Sequence, residues 1–158
     1  MMIYLRPLNY NDLLRIYEIK SNPNNFNIKF NRLDTSKITK EKIDKWFLNL
    51  INETDAIRLG ICTKEKHILI GCITLGKIDY INSSCELNIY IDSKYQNKGY
   101  ATKSIQILLK YCKNIIKINT ISLEVHKEHF KAIYLYKKCG FIFIKEKNEF
   151  LIFKYDIS

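Results

Sequence analysis

Glycine and proline are scarce in this chain. Five glycines and two prolines occur in 158 residues, and Gly99 is the only glycine between Gly76 and Gly140. No apolar run approaches the roughly 20 residues that cross a membrane, and Arg6 interrupts the start too early for a secretory signal. We therefore expect a cytoplasmic protein with no membrane partner, and we expect Gly99 to lie where the backbone needs unusual freedom.

Paired cysteines are also missing. The five cysteines are an odd number, are widely spaced and form no CxxC motif. They are typical of small buried residues or free thiols, and not of a disulfide framework or a zinc site. His126 and His129 lie three residues apart but lack further ligands at a suitable spacing, so no metal is predicted.

Negative charge is in short supply. The formal net charge is +10, and lysine outnumbers arginine 22 to 4. Isoleucine (27) and asparagine (15) are plentiful too, and A/T-rich codons encode all three residue types. No basic run exceeds two residues, so a solvated lysine-rich surface is favoured over a nucleic-acid partner. A nucleic-acid-binding module stays open as an alternative.

The length and the hydrophobic fraction of 47% predict one domain over residues 1–158 with a substantial core. The periodicity predicts the order β-α-α-β-β-β-α-β-α-β-β, with Asn11 as the N-cap of the first helix. Residues 21–37 form the least regular stretch. Ala101, Ile105, Leu108, Leu109 and Cys112 form one apolar helical stripe. The fold class is therefore α+β or mixed α/β.

The sequence YQNKGYATKS, residues 95–104, joins a predicted strand to that helix. A glycine turn that opens a helix is a ready anion site, because the first N–H groups of the helix lack intrahelical acceptors and carry partial positive charge. Gly99 and Ala101 leave room for a phosphate, and Lys98 and Lys103 add charge. Taken alone, the motif is also compatible with a simple turn.

Four stretches resemble one family. QNKGYA resembles the Q/R-x-x-G-x-G/A signature of the GNAT superfamily of acetyl-CoA-dependent N-acetyltransferases, and VHKEHFKAIYLYKKCGF resembles its second conserved helix. CELNIYI resembles the family strand before the turn. LRPLNYNDL resembles the opening of the branch that acetylates protein N-termini and polyamines. The resemblance implies a mostly antiparallel sheet of about seven strands with a splayed parallel pair at the acetyl-CoA site, flanked by about four helices.

The resemblance also implies roles for individual residues. Backbone amides of the turn hold the CoA diphosphate, the strand before it binds the pantetheine arm, and acetyl-CoA is the co-substrate. Tyr136 protonates the CoA sulfur, and Glu86 is the general base, directly or through a water. Alternatively, Tyr136 belongs to an apolar helix stripe and Glu86 faces outward. The implied coenzyme-binding residues are Ile89, Tyr90, Ile91, Gln96, Asn97, Lys98, Gly99, Tyr100, Ala101, Thr102 and His129, of which His129 stands where the family has asparagine.

The acceptor is the least determined feature. Phe26, Phe30 and Trp46 are candidates for lining its site. We expect direct attack by a primary amine in a ternary complex, and we favour a nucleotide-linked amino sugar because a +10 protein repels a polycation unless acids concentrate locally. A polyamine, a protein N-terminus and a catalytically silent CoA-binding module are the alternatives. Members of the family are often dimers, so a homodimer is one expectation.

Overall fold

The computed structural model describes residues 2–22, 24–25 and 39–157. Within these ranges the chain forms seven strands and four α-helices in the predicted order. They are β1 Ile3–Pro7, α1 Tyr10–Ser21, α2 Lys40–Asn52, β2 Ile57–Thr63, β3 Leu69–Asp79, β4 Ser84–Ile91, α3 Tyr100–Tyr111, β5 Thr120–His126, α4 Phe130–Lys138, β6 Ile142–Lys147 and β7 Phe150–Asp156. A short 3-10 turn, Ser93–Tyr95, precedes α3, and a π-helical turn, Cys112–Ile116, extends it.

Helix α1 is capped by Asn9, so the predicted cap at Asn11 is wrong. The Asn9 side chain accepts a hydrogen bond from the N–H of Asp12 at 3.2 Å, and the Asp12 carboxylate accepts one from the N–H of Asn9 at 2.8 Å. This reciprocal capping box satisfies two N–H groups that a helix start leaves open. Asn11 cannot form the same box, because the residue three positions later is Leu14, which has no acceptor.

The seven strands form one sheet in the order β1-β2-β3-β4-β5-β7-β6. Every neighbouring pair is antiparallel except β4 and β5, which run parallel. In the part of the chain that the structure describes, β4 pairs with β5 through three residues, Ser84–Glu86 with Thr120–Ser122. Residues 87–91 therefore diverge from β5 while they remain paired with β3. The predicted fold class, with its splayed parallel pair, is confirmed.

The two faces of β4 pack against two different layers of the fold. Cys85, Leu87 and Ile91 point into the main core, which α3 and α4 cover. Tyr90 points to the opposite face and packs against a smaller cluster beneath α1 and α2. Because side chains alternate along a strand, Glu86 and Asn88 share the face of Tyr90. The gap between β4 and β5 can thus be approached from two sides, each lined by different residues.

Candidate active site

The backbone makes a sharp turn between β4 and α3. Asn97 and Gly99 have φ angles of 61° and 80°, in the left-handed region, and Gly99 is the N-cap of α3. Glycine adopts this conformation without the steric cost that a Cβ brings. A Cβ placed on Gly99 would meet no atom within 4 Å. The space over the turn is therefore open, at a helix start that favours negative charge.

Side-chain hydrogen bonds hold this turn in place. The amide nitrogen of Gln96 donates to the carbonyl of Ile91 at 2.8 Å, and the amide oxygen of Gln96 accepts from Lys131 Nζ at 2.9 Å. The side-chain oxygen of Asn25 accepts from the N–H of Ser93 at 2.6 Å. These contacts link the turn to β4, to α4 and to the segment after α1. Gln96 thus positions the turn through its side chain as well as belonging to it.

A cavity of about 500 Å³ lies between the end of β4, the turn, α3 and α4. Its size falls in the range of small-molecule sites. Ten of the eleven implied coenzyme-binding residues line it, namely Ile89, Tyr90, Ile91, Gln96, Asn97, Gly99, Tyr100, Ala101, Thr102 and His129. Lys98 is the exception, because its Nζ donates to the carbonyl of Lys94 at 3.2 Å and lies 5.7 Å from the ring centre of Tyr95.

Tyr136 lines the same cavity from α4. The side chain is 8% exposed and packs edge-on against Phe141, with ring centres 6.0 Å apart. Burial raises the pKa of its hydroxyl to about 12, with a smaller contribution from Cys139. The hydroxyl is therefore protonated at neutral pH. It can donate a hydrogen bond or a proton into the cavity.

His129 occupies the N-cap position of α4. Its N–H donates to the carbonyl of His126 at 2.9 Å, and its side chain lines the cavity. Burial lowers the pKa of its imidazole, and the nearby Lys131 and His126 lower it further. The ring is therefore neutral at pH 7, where it offers one N–H donor and one acceptor. A neutral histidine can replace the hydrogen bond of the asparagine that the family places here.

Residues 3–142 match the Acetyltransferase (GNAT) domain family. The chain belongs to this family. It is 31% identical to spermidine N(1)-acetyltransferase of Vibrio cholerae, over 87% of this chain and 78% of the relative. The crystal structure of the Vibrio cholerae spermidine N-acetyltransferase in complex with CoA and spermine superimposes with a TM-score of 0.85, at 26% identity over 99% of this chain and 96% of that one. A dodecameric structure of the same enzyme gives 0.81, at 25% identity over 99% and 94%.

This GNAT protein is an acetyl-CoA-dependent N-acetyltransferase, and acetyl-CoA is its co-substrate. The cavity fits that molecule in two respects. The open space above Gly99 accommodates a diphosphate, and the divergence of residues 87–91 from β5 leaves a strand edge beside which an extended amide-containing arm can lie.

In residues 2–22, 24–25 and 39–157, no three His, Cys, Asp or Glu side chains are grouped as metal ligands. Within those same ranges, no helix has the length and apolar character to span a bilayer.

Glu86 does not line the cavity between β4, α3 and α4 in this acetyltransferase. Its Oε1 lies 3.0 Å from Lys77 Nζ, and the side chains of Lys77 and Glu86 are 75% and 41% exposed. Lys77 has a φ of 48° at a register shift between β3 and β4, which turns its side chain toward Glu86. Glu124 contributes to the same electrostatic environment. The assignment of Glu86 as the general base stays a prediction.

Of the three residues expected at the acceptor site, Trp46 alone is among the described residues, and it does not line the cavity that holds Tyr136. Phe26 and Phe30 lie outside the described residues. Trp46 lines a second cavity, of about 410 Å³, between α1 and α2. Its role as an acceptor contact also stays a prediction.

Sequence reasoning missed part of the acetyl-CoA cavity. The additional lining residues are Asn25, Tyr95, Lys131, Ala132, Tyr134, Leu135 and Lys138. Five of them share α4 with Tyr136, so the helical period of that segment could have identified them. Asn25 could not be identified this way, because its contact with Ser93 joins residues 68 positions apart.

Proposed function

We propose that this acetyltransferase transfers the acetyl group of acetyl-CoA to a primary amine of a polyamine such as spermidine. The observation that carries the proposal is the similarity to spermidine N-acetyltransferases over nearly the whole chain, including a relative whose crystal structure contains CoA and spermine. This favours the polyamine alternative over the nucleotide-linked amino sugar that we preferred from composition.

The positive net charge is the main argument against a polycationic acceptor. Local charge counts for more than the total, because salt screens charges beyond about 8–10 Å. Glu86 and Ser122 are register partners on β4 and β5, so Glu86 and Glu124 lie on the same face of the sheet. That face is opposite the core side of α3 and α4. Two carboxylates therefore flank the gap on the side from which an amine can approach.

Lys77 provides a model for how a substrate ammonium binds there. Its ammonium sits 3.0 Å from Glu86, in an exposed pair. Exposed ion pairs contribute little stability, so a substrate ammonium can replace Lys77 at small cost. Once Lys77 is displaced, Glu86 binds an ammonium of the polyamine or accepts a proton from the reacting one.

Each catalytic group of the protein then carries out one part of the acetyl transfer. Acetyl-CoA supplies the acetyl group as a thioester when it is bound. The reacting ammonium must lose a proton to become a nucleophile, and Glu86 or a water that it orders accepts that proton. Tyr136, protonated at neutral pH, donates a proton to the departing sulfur. Its raised pKa makes this transfer unfavourable by itself, so a proton released by the reacting amine returns to the tyrosine through the site. One backbone N–H on the side of β4 that faces away from β3, at Ile89 or Ile91, polarises the thioester carbonyl.

We further propose that residues 1–158 form a single domain that works in the cytoplasm as an oligomer. All five cysteines lie within the described residues and are free, which suits a reducing compartment. The dodecameric structure of the Vibrio cholerae enzyme supports self-association, and a homodimer is the simplest unit from which such an assembly is built.

A thiol-release assay with acetyl-CoA tests the acceptor. Spermidine and spermine are compared at equal concentration with a nucleotide-linked amino sugar and a peptide with a free N-terminus. We expect the largest kcat/KM for a polyamine. A larger kcat/KM for the amino sugar would reject the polyamine and restore the first alternative. No thiol release with any amine, together with tight binding of acetyl-CoA, would instead identify a catalytically silent CoA-binding module.

A further inference from the structure

The family resemblance places an asparagine where this chain has His129. An asparagine can supply a hydrogen bond there but cannot carry a proton. His129 follows the last residue of β5 by three positions, and its N–H donates to the carbonyl of His126 at 2.9 Å. It therefore lies at the open end of the gap between β4 and β5, beyond the paired residues Thr120–Ser122.

His129 and Tyr136 line the same cavity from one side of α4. Residues seven positions apart in a helix point almost the same way and are separated by two turns, or about 10 Å. Long side chains in a helix lean toward its N-terminus, so the Tyr136 side chain leans toward His129. Ala132 lies on the turn between them and lines the cavity with only a methyl group. The imidazole and the phenol therefore face a common space.

Cationic neighbours keep the imidazole of His129 neutral between turnovers. Burial lowers its pKa, and the nearby Lys131 and His126 lower it further. Lys131 is held in place, because its Nζ donates to Gln96 Oε1 at 2.9 Å. Glu128 faces His126, with its Oε2 3.9 Å from Nδ1 of that ring. The other titratable residues that line the cavity are Tyr90, Tyr95, Tyr100, Tyr134, Tyr136 and Lys138.

The reaction requires a group that returns a proton to Tyr136. The phenol has a pKa of about 12, so the tyrosinate that remains after it protonates the sulfur is a strong base. A primary ammonium has three N–H bonds and the product amide has one, so the nitrogen releases two protons. Glu86, or a water that it orders, accepts the first of them. The second proton leaves the nitrogen as the amide forms, and it balances the proton that the sulfur gains.

We propose that His129 carries this second proton from the attacking nitrogen to Tyr136, an inference that rests on the proposed acetyl transfer and on the acid role of Tyr136. The nitrogen bonds to the acetyl carbon, the electron pair of the C–S bond goes to the sulfur, and Tyr136 protonates the sulfur. The imidazole of His129 takes the proton that the nitrogen releases and passes it to the tyrosinate. At the end the imidazole is neutral and Tyr136 is protonated again, as both were at the start.

Chemical rescue tests this role. Thiol release is measured with the amine that gives the wild-type protein the largest kcat/KM, so the test does not depend on which acceptor is used. His129→Asn keeps a hydrogen-bonding side chain but carries no proton, and its kcat should fall about 100-fold, the lower end for loss of an acid–base group. His129→Ala should lose as much, and added imidazole should restore its kcat in proportion to the imidazole concentration.

His67→Asn is the matched control. His67 lies in the turn between β2 and β3, where its Nδ1 is 3.0 Å from the hydroxyl of Tyr4. Asparagine tolerates the φ of 54° at this position, so the variant removes an imidazole without straining the backbone. It should retain kcat, and imidazole should not change it. Melting temperatures verify that each variant is folded.

Two results would overturn this role of His129 and leave the proposed function intact. The first is wild-type kcat in His129→Asn. The second is a loss of kcat in His129→Ala that imidazole does not restore, which would mean that the side chain only supports the structure of the site. Absence of thiol release from the wild-type protein with every amine would instead overturn the proposed function, and this inference with it.

Discussion

Arg15 of α1 donates a hydrogen bond from Nη2 to Oδ2 of Asp92 at 2.6 Å, and so joins the first helix to the residue that follows β4. Asp92 is 2% exposed, and its other oxygen accepts from the N–H of Lys94 at 3.3 Å. A carboxylate at this depth needs such partners, because burying an unpaired charge is costly. The pair therefore fixes the start of the turn that leads to Gly99.

Replacing Asp92 with asparagine should destabilise the fold. Asp92→Asn keeps the size of the side chain but removes the charge that Arg15 faces. We expect the free energy of unfolding to fall by about 2 kcal/mol, the usual contribution of a hydrogen bond to a charged group. Urea denaturation measures it. Asp55→Asn, at an exposed aspartate, is the matched control and should change stability by less than about 0.5 kcal/mol. Equal stability of the two variants would contradict the assigned role of the pair.

Replacing Gly99 with alanine should weaken coenzyme binding and also lower the stability of the fold. The φ of 80° makes a Cβ cost about 1–2 kcal/mol, yet no neighbouring atom obstructs it within 4 Å. The added methyl group instead enters the space that we assign to the diphosphate, so the Kd for CoA should rise at least about tenfold. Calorimetry with CoA checks this. Gly76→Ala is the control, since its Cβ is also unobstructed within 4 Å but lies in β3, away from the cavity. Unchanged affinity in Gly99→Ala would exclude this position as the diphosphate contact.

Replacing Tyr136 with phenylalanine should slow the reaction and leave binding intact. The ring keeps its contact with Phe141, while the proton donor is lost. Loss of a general acid lowers kcat by about 10²- to 10⁴-fold. Thiol release gives kcat, and calorimetry gives the Kd for CoA. Tyr80→Phe removes a hydroxyl from a side chain that is 61% exposed and does not line the cavity, and it should retain kcat. Wild-type kcat in Tyr136→Phe would remove the acid assignment.

His129 should make the affinity for CoA depend on pH only below the ordinary histidine pKa of 6.5. Burial lowers the pKa of this imidazole below its ordinary value of 6.5, so the ring stays neutral above that pH and gains a proton only below it. The contribution of neutral His129 is therefore present above pH 6.5 and is lost as the pH falls through the lowered pKa. His129→Asn is the reference, because the CoA phosphates titrate alike in both proteins. We expect the ratio of the two Kd values to be constant from about pH 6.5 to 8 and to change only in more acidic solution. A change centred above pH 7 would contradict a neutral histidine.

Replacing Lys77 with asparagine should improve the use of polyamines. Asparagine tolerates a left-handed φ, so the variant removes the ammonium that faces Glu86 without straining the backbone. With the competing cation gone, the KM for spermidine should fall about threefold, within the energy of one exposed ion pair. Lys66→Asn removes an equal charge from the turn between β2 and β3 and serves as the control. A raised KM in Lys77→Asn alone would mean that Lys77 assists the acceptor.

The sequence predicts this fold well because its signals are local. Alternation marks β2 to β4, a stripe from Ala101 to Cys112 marks α3, and one glycine marks the turn between them. The cap of α1 was misassigned because Asn9 and Asn11 are equally good caps by type, and the decisive signal was Asp12 three residues after Asn9.

The parts of the site that sequence analysis could not predict depend on contacts between distant residues. Arg15 and Asp92 lie 77 positions apart, and nothing local to either residue indicates the pair. The role of Glu86 as general base stays a prediction, because strand alternation alone does not say which face of β4 meets the reacting groups.

The sheet of this enzyme consists of two halves that are joined by a short stretch of strand pairing. Strands β1 to β4 form one half and β5, β7 and β6 the other, and three residue pairs join the halves in the part of the chain that the structure describes. On the proposed placement, the extended arm of the coenzyme would lie beside the edge of β4 that β5 leaves unpaired. The co-substrate itself would then strengthen the junction between the two halves.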